Sequence, residues 1–165
     1  MRTSFQKCYD LEHINISGWD TSNVTDMSFM FNRCNNLKEL DLKDFNTSKV
    51  TEMRAMFSEC HELEELDLSN FDTSKVTTMR SMFMGCIKLT SINLSSLNTS
   101  MVGRTPYMFH DCQSLKYLDL SSFDTSNVLL MNGMFDGCVN LEEINLKNFS
   151  TLSATNTMWM FQKCS

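Results

Sequence analysis

Apolar residues in this chain fall in columns that return at a constant interval. Leu40-Asp41-Leu42 shows the first element: two inward leucines flank an outward acid, with Glu39 and Lys43 also outward. Alternation of this kind puts residues two apart on one face of a strand. The same pair of positions recurs as Ile14/Ile16, Leu66/Leu68, Ile92/Leu94, Leu118/Leu120 and Ile144/Leu146, each 26 residues after the last. A polar turn follows each strand, as in Asp72-Thr73-Ser74 and Asp124-Thr125-Ser126. Such short side chains turn or cap the backbone. Beyond the turn, Val50, Met53, Met56, Phe57 and Cys60 are spaced 3, 3, 1 and 3. That is the spacing of one helix face, and it predicts a short helix after an extended or 3-10 lead-in.

The other columns keep the same period. Cys stands at 8, 34, 60, 86, 112, 138 and 164, and Phe stands three residues before each. Met precedes that Phe from Met30 to Met160, and Val or Ala fills the column from Val24 to Ala154. The unit reads C-x2-L-x2-[LI]-x-[LI]-x2-F-x-T-S-x-V-T-x-M-x2-M-F-x2-C, and no insertion shifts its phase. A unit this small cannot bury its own core, so neighbours must stack and share one. The expected fold is an α/β repeat: a leucine-rich-repeat solenoid with 26 residues per coil. A parallel sheet lies on one face, with short helices or turns on the other. Residues 1–165 then form a single solenoid, with a partial unit 1–8, six full units over 9–164 and no dedicated caps. Met1 sits on the column of Met27, Met53, Met79 and Met131, so the pattern reads as a piece of a longer array. Strands ~4.8 Å apart give the six coils a span of roughly 30 Å.

The segment LDLSNFDTSKVTTMRSMFMGC, residues 66–86, carries a resemblance to a known family. With its Met-Phe-x-x-Cys-x-x-Leu continuation it resembles the bacterial surface-protein 26-residue repeat, a BspA-like leucine-rich repeat, along the whole chain. The resemblance implies a right-handed solenoid at a microbial cell surface, extracellular, with adhesion to host or cell-surface proteins. It brings no catalytic residues. The fourth unit departs from the pattern at Leu97 and over Gly103–Tyr107, and the last at Leu152, Ala154 and Thr157. Neither departure changes the length.

Composition narrows the function classes. A formal net charge of -6 argues against nucleic acid or anionic membranes as partners. No apolar run is long enough to span a bilayer, so direct membrane insertion of this segment is not expected. The opening residues lack the apolar core of a signal peptide. His13, His61 and His110 occupy three different columns, no nucleophile and base recur together, and there is no Gly-rich phosphate loop. The expectation is a protein without catalytic residues, metal or cofactor.

Several columns invite chemistry and have a plainer reading beside it. The Cys ladder lacks the clustered spacing of a metal site, and its Cβ vectors would run nearly parallel, which is poor disulfide geometry. Cys34, Cys60, Cys86, Cys112 and Cys138 therefore read as a core ladder of free thiols. Met-x-x-Met pairs beside Phe read as core, not as soft-metal ligands. Thr columns fall in turns, which does not suit an ice-binding array.

Outward strand positions are where partners would bind. Glu39, Asp41, Glu65 and Asp67 form an acidic patch, and Tyr117 and Asp119 continue the same two columns. A basic protein partner or Ca2+ would suit the patch; so would an ordinary solvated face. Phe29, Tyr107 and Trp159 share a column of otherwise small residues, and Leu129 and Leu130 replace mostly polar ones. These are apolar contact candidates, with variation in the coil as the alternative. The functional expectation is a protein–protein interaction module that adheres through the strand face, the alternative being a structural stalk or spacer.

Overall fold

The computed structural model describes residues 1–164. Its strands are short: β1 (Glu65–Asp67), β2 (Ser91–Asn93), β3 (Tyr117–Asp119) and β4 (Glu143–Asn145). β1 pairs in parallel with β2, and β3 with β4. Partners are 26 residues apart, Leu66 opposite Ile92 and Leu118 opposite Ile144. Leu66 and Leu118 are buried between exposed neighbours, which is the alternation the strand pattern predicts.

A second ladder runs through all six units. Single parallel bridges join Asp26, Glu52, Thr78, Arg104, Leu130 and Asn156 in succession. From there every second N–H donates to the next unit: Met27 to the Glu52 carbonyl (3.0 Å), Phe29 to Arg54 (2.8 Å), Phe31 to Met56 (2.9 Å) and Arg33 to Ser58 (2.8 Å). The N–H groups between them close three-residue turns, Met30 to Met27, Asn32 to Phe29 and Cys34 to Phe31.

This corrects the expected short helix. Among the described residues the segments carrying Val50, Met53, Met56, Phe57 and Cys60, and their equivalents, are turns. Stacking height is the reason. An α-helix is about 10–12 Å wide with its side chains, whereas successive units approach as closely as neighbouring strands. The Phe rings at 31, 57, 83 and 109 lie 5.8, 5.7 and 5.2 Å apart, nearly parallel. A helix would also keep its N–H groups for its own carbonyls, and the ladder needs half of them. Two residues per unit have left-handed backbone, for example Ala55 (φ 50°) and Glu59 (φ 63°), which no α-helix contains. Gly takes the second of these positions at Gly85 and Gly137, where the previous unit's Glu59 and Asp111 carboxylates occupy the space a Cβ would need.

The spacing was nevertheless right about the inward face. Val50, Met53, Met56, Phe57, Cys60 and Leu63 are fully buried, as are most of their counterparts. The Thr column from Thr21 to Thr125 is buried as well and binds unit to unit. Thr73 Oγ1 donates to the Asn98 carbonyl (2.8 Å) and accepts the Asn98 N–H (2.8 Å). Thr73→Val keeps the shape and strands both backbone groups. It should cost about 1–3 kcal/mol, read as a shift in the urea midpoint; an unchanged midpoint would contradict this role.

The strand side is less continuous. β1–β2 and β3–β4 are separate pairs, and no strand pairing joins units one and two, units two and three, or units four and five. Side chains span the last two of these gaps: Asn70 Nδ2 donates to the carbonyls of Leu42, Lys43 and Phe45, and Ser122 Oγ to that of Leu94. Between units two and three the facing positions are Glu39/Glu65 and Asp41/Asp67, and like charges placed opposite one another destabilise pairing. Nothing in the structure explains the other two gaps.

Candidate functional site

The gaps open grooves on the strand side. A shallow groove of about 760 Å³ is lined by Glu39, Asp41 and Glu65 together with Lys38, Lys43 and Glu64. Asp41 and Asp67 face a smaller hollow of about 120 Å³. The structure thus brings the four acids of the predicted patch together, all exposed. Tyr117 lies two units further along, opposite Glu143, and Asp119 borders a separate hollow of about 350 Å³ between units four and five.

The patch is less acidic than its residue count. His13 Nδ1 lies 2.9 Å from Glu39 Oε1, Lys43 Nζ 2.7 Å from Asp41 Oδ2, and Lys38 Nζ 2.6 Å from Glu12 Oε2. These pairs are exposed and contribute little to stability. Their column mates also have a backbone task. Asp41 accepts the Lys43 N–H (3.0 Å), Asp67 that of Ser69 (2.9 Å) and Asp119 that of Ser121 (2.8 Å). Asn15, Asn93 and Asn145 do the same two residues on. This is an Asx turn ending each strand segment. All three carboxylates lie below their ordinary range: the Lys43 side chain is the main cause at Asp41, the Ser69 N–H at Asp67 and the Ser121 hydroxyl at Asp119, with the turn N–H adding to the first and last. Asn performs the turn equally well, so the turn itself does not require the charge at these positions. Glu39 and Glu65 carry no such turn.

The Cys ladder is buried and every thiol is free. From Cys34 onward each Sγ donates to the Phe carbonyl 29 residues earlier, as Cys60 to Phe31 and Cys86 to Phe57, both 3.2 Å. Burial pushes Cys34, Cys86 and Cys138 up to about 12, and Cys60 and Cys112 well above the ordinary thiol. Thiols held protonated in this way are poor nucleophiles.

The apolar candidates separate into two groups. Leu129 is exposed, Leu130 is half-buried in the bridge column, and Trp159 is exposed in the last unit. Phe29 and Tyr107 stand at the two ends of one groove of about 530 Å³ on the second ladder. Arg2 and Arg54 lie over the Phe29 ring, at 5.9 and 5.2 Å from its centroid. The Tyr107 ring fills the space above Gly133 and meets His110 edge-on at 5.7 Å. Arg54, Arg80 and Ser58 line this groove and were missed from the sequence. The signal available was two arginines one period apart, beside a column of mostly small residues.

Among the described residues no three His, Cys, Asp or Glu side chains are placed together to hold a metal ion. No helix among them is long and apolar enough to cross a membrane.

Comparison with known proteins agrees with this architecture. A family model described as "Mycoplasma protein of unknown function, DUF285" matches residues 1–118 and again 88–165. No curated protein matches the chain. Among solved structures, a leucine-rich cell surface protein from Faecalibacterium prausnitzii A2-165 is similar, with a TM-score of 0.51 and 22% identity over 86% of this chain. The chain spans about a third (34%) of that protein's length. The family model, matching along the whole chain, shows the DUF285 family, and the solved structure shows the leucine-rich fold that the sequence resembles.

Proposed function

Since the chain belongs to that family, we propose that it is an extracellular, non-enzymatic interaction module of a microbial surface protein, a solenoid that adheres to a protein partner through its strand side. The supporting observation is the open groove that gathers Glu39, Asp41 and Glu65 on an exposed, rigidly spaced surface. Rigid display is the mechanism. The buried columns repeat and set the backbone, while outward residues differ from unit to unit and select the partner. A basic surface on that partner fits the patch, with electrostatics contributing mainly to encounter rate and specificity.

The test separates charge from fold. A variant combining Glu39→Lys and Glu65→Lys with Asp41→Asn and Asp67→Asn reverses the patch and keeps both Asx turns. Beads carrying it should adhere to a cell monolayer at least about tenfold less than wild type, at an unchanged melting temperature. Equal adhesion of the two proteins would support the stalk reading, in which the segment only spaces a distal head from the cell.

A further inference from the structure

The second ladder carries a groove of opposite character. It runs along the Phe29, Ala55, Ser81, Tyr107 column, with the aromatics at its ends and the small residues between. Lys7, Arg33, Arg54 and Arg80 line it against a single carboxylate, Glu59, which is itself engaged by His61 at 2.9 Å. In a chain of net charge -6 this is a local excess of cations. None of the four cations forms an ion pair among the described residues. Ser58 also lines the groove, and its buried Oγ has no hydrogen-bond partner. Uncompensated charge and an orphaned buried hydroxyl are both features that a ligand would satisfy.

We propose that this groove is a second binding site, for an extended acidic segment of a protein partner. Its carboxylates meet Arg54 and Arg80, and its apolar side chains lie against Phe29 and Tyr107. The dimensions fit. Three unit steps of roughly 5 Å separate the aromatics, about 15 Å in all, which an extended chain covers with four to five residues. Cations and apolar walls along one groove suit a ligand that alternates carboxylate and apolar side chains, as a strand-like peptide does. Planar guanidinium groups are well matched to carboxylates. The site is independent of the strand-side reading and involves none of its residues.

A fluorescein-labelled hexapeptide of alternating Glu and Val, titrated with the full chain and read by anisotropy, tests it. Binding should weaken at least about tenfold when Gln replaces Glu in the peptide, and by a similar factor in Arg54→Glu/Arg80→Glu protein. Phe29→Ala/Tyr107→Ala should weaken it several-fold, which a merely cationic patch would not show. The Glu39→Lys/Glu65→Lys protein should bind as wild type does, so failure here and failure of the strand-side site are told apart. Melting curves confirm that each variant is folded. The proposal is overturned if the Glu and Gln peptides bind alike, or if the arginine variant binds undiminished. It is equally overturned if heparin displaces the peptide and binds more tightly, which would make the ligand a sulfated glycan. Sedimentation showing self-association that Arg54→Glu abolishes would make the occupant a second copy and overturn it too.

Discussion

Phe83→Ala should destabilise the chain by about 3–5 kcal/mol, the range for removing a buried aromatic. The ring is fully buried and stacked between Phe57 at 5.7 Å and Phe109 at 5.2 Å. The cavity has little freedom to collapse, because the backbone on either side is tied to its neighbours. Phe57 donates its N–H to the Met82 carbonyl and Phe83 donates to Met108, both at 2.9 Å. In a repeat array each unit is stabilised chiefly by the units beside it, so a void at a central interface weakens the coupling of the two halves. At about 2–4 °C per kcal/mol for a chain of this size, the melting temperature should fall by roughly 10 °C. Phe161, at the end of the stack and 42% exposed, provides the comparison. Phe161→Ala should cost clearly less. If urea denaturation gives equal losses for the two, the stacked column is not what holds the units together.

Alkali should unfold the protein through its thiols. Cys60, Cys86 and Cys112 are fully buried, and burial raises each above its ordinary value of 9.0, to about 12 at Cys86. A group whose folded pKa is raised contributes stability that is complete below the unfolded value and is lost as pH climbs towards the folded one. The window is therefore pH 9 and above: unfolded chains release these protons while the folded chain retains them. Each thiol removes about 1.4 kcal/mol per pH unit there, so the three together remove about 4. Against a typical total of about 5–15 kcal/mol, a chain at the lower end of that range should reach its midpoint one or two units past pH 9. Cys86→Ala should lower the slope of unfolding free energy against pH by one proton while losing the 3.2 Å bond to the Phe57 carbonyl. An unchanged slope in that variant would show that the buried thiols are not the titrating groups.

Much of this was legible in the residues. Columns such as Leu66, Thr73, Val76, Met79, Phe83 and Cys86 repeat without slippage, and a side chain that recurs at one phase of a stack meets its own kind above and below. Burial of the apolar columns follows from that alone. Exposure of Glu39, Asp41, Glu65 and Asp67 follows from alternation around Leu40 and Leu66. The Asx turns were legible in principle, because Asn and Asp share one column, but a charge count reads that column as acidity and not as turn chemistry. The groove between Phe29 and Tyr107 was not legible. Its walls come from the partial unit and the four units after it, and the cations beside it belong to columns whose direction depends on the left-handed residues of the second ladder.

The helix is where local pattern and tertiary structure part. Three-residue turns and a helical turn return a side chain to nearly the same face after three or four positions, so spacings of 3, 3, 1 and 3 fit both. Sequence alone determined the period, the order of the elements, the inward columns and the family. The tertiary structure decided which element closes each unit, because only stacking reveals the height available. At a separation set by packed Phe rings and inter-unit hydrogen bonds, a ladder of turns fits and a helix does not. The same stacking decided that four strands pair two by two, with grooves where pairing stops, since whether facing segments join depends on what each meets in the unit beside it.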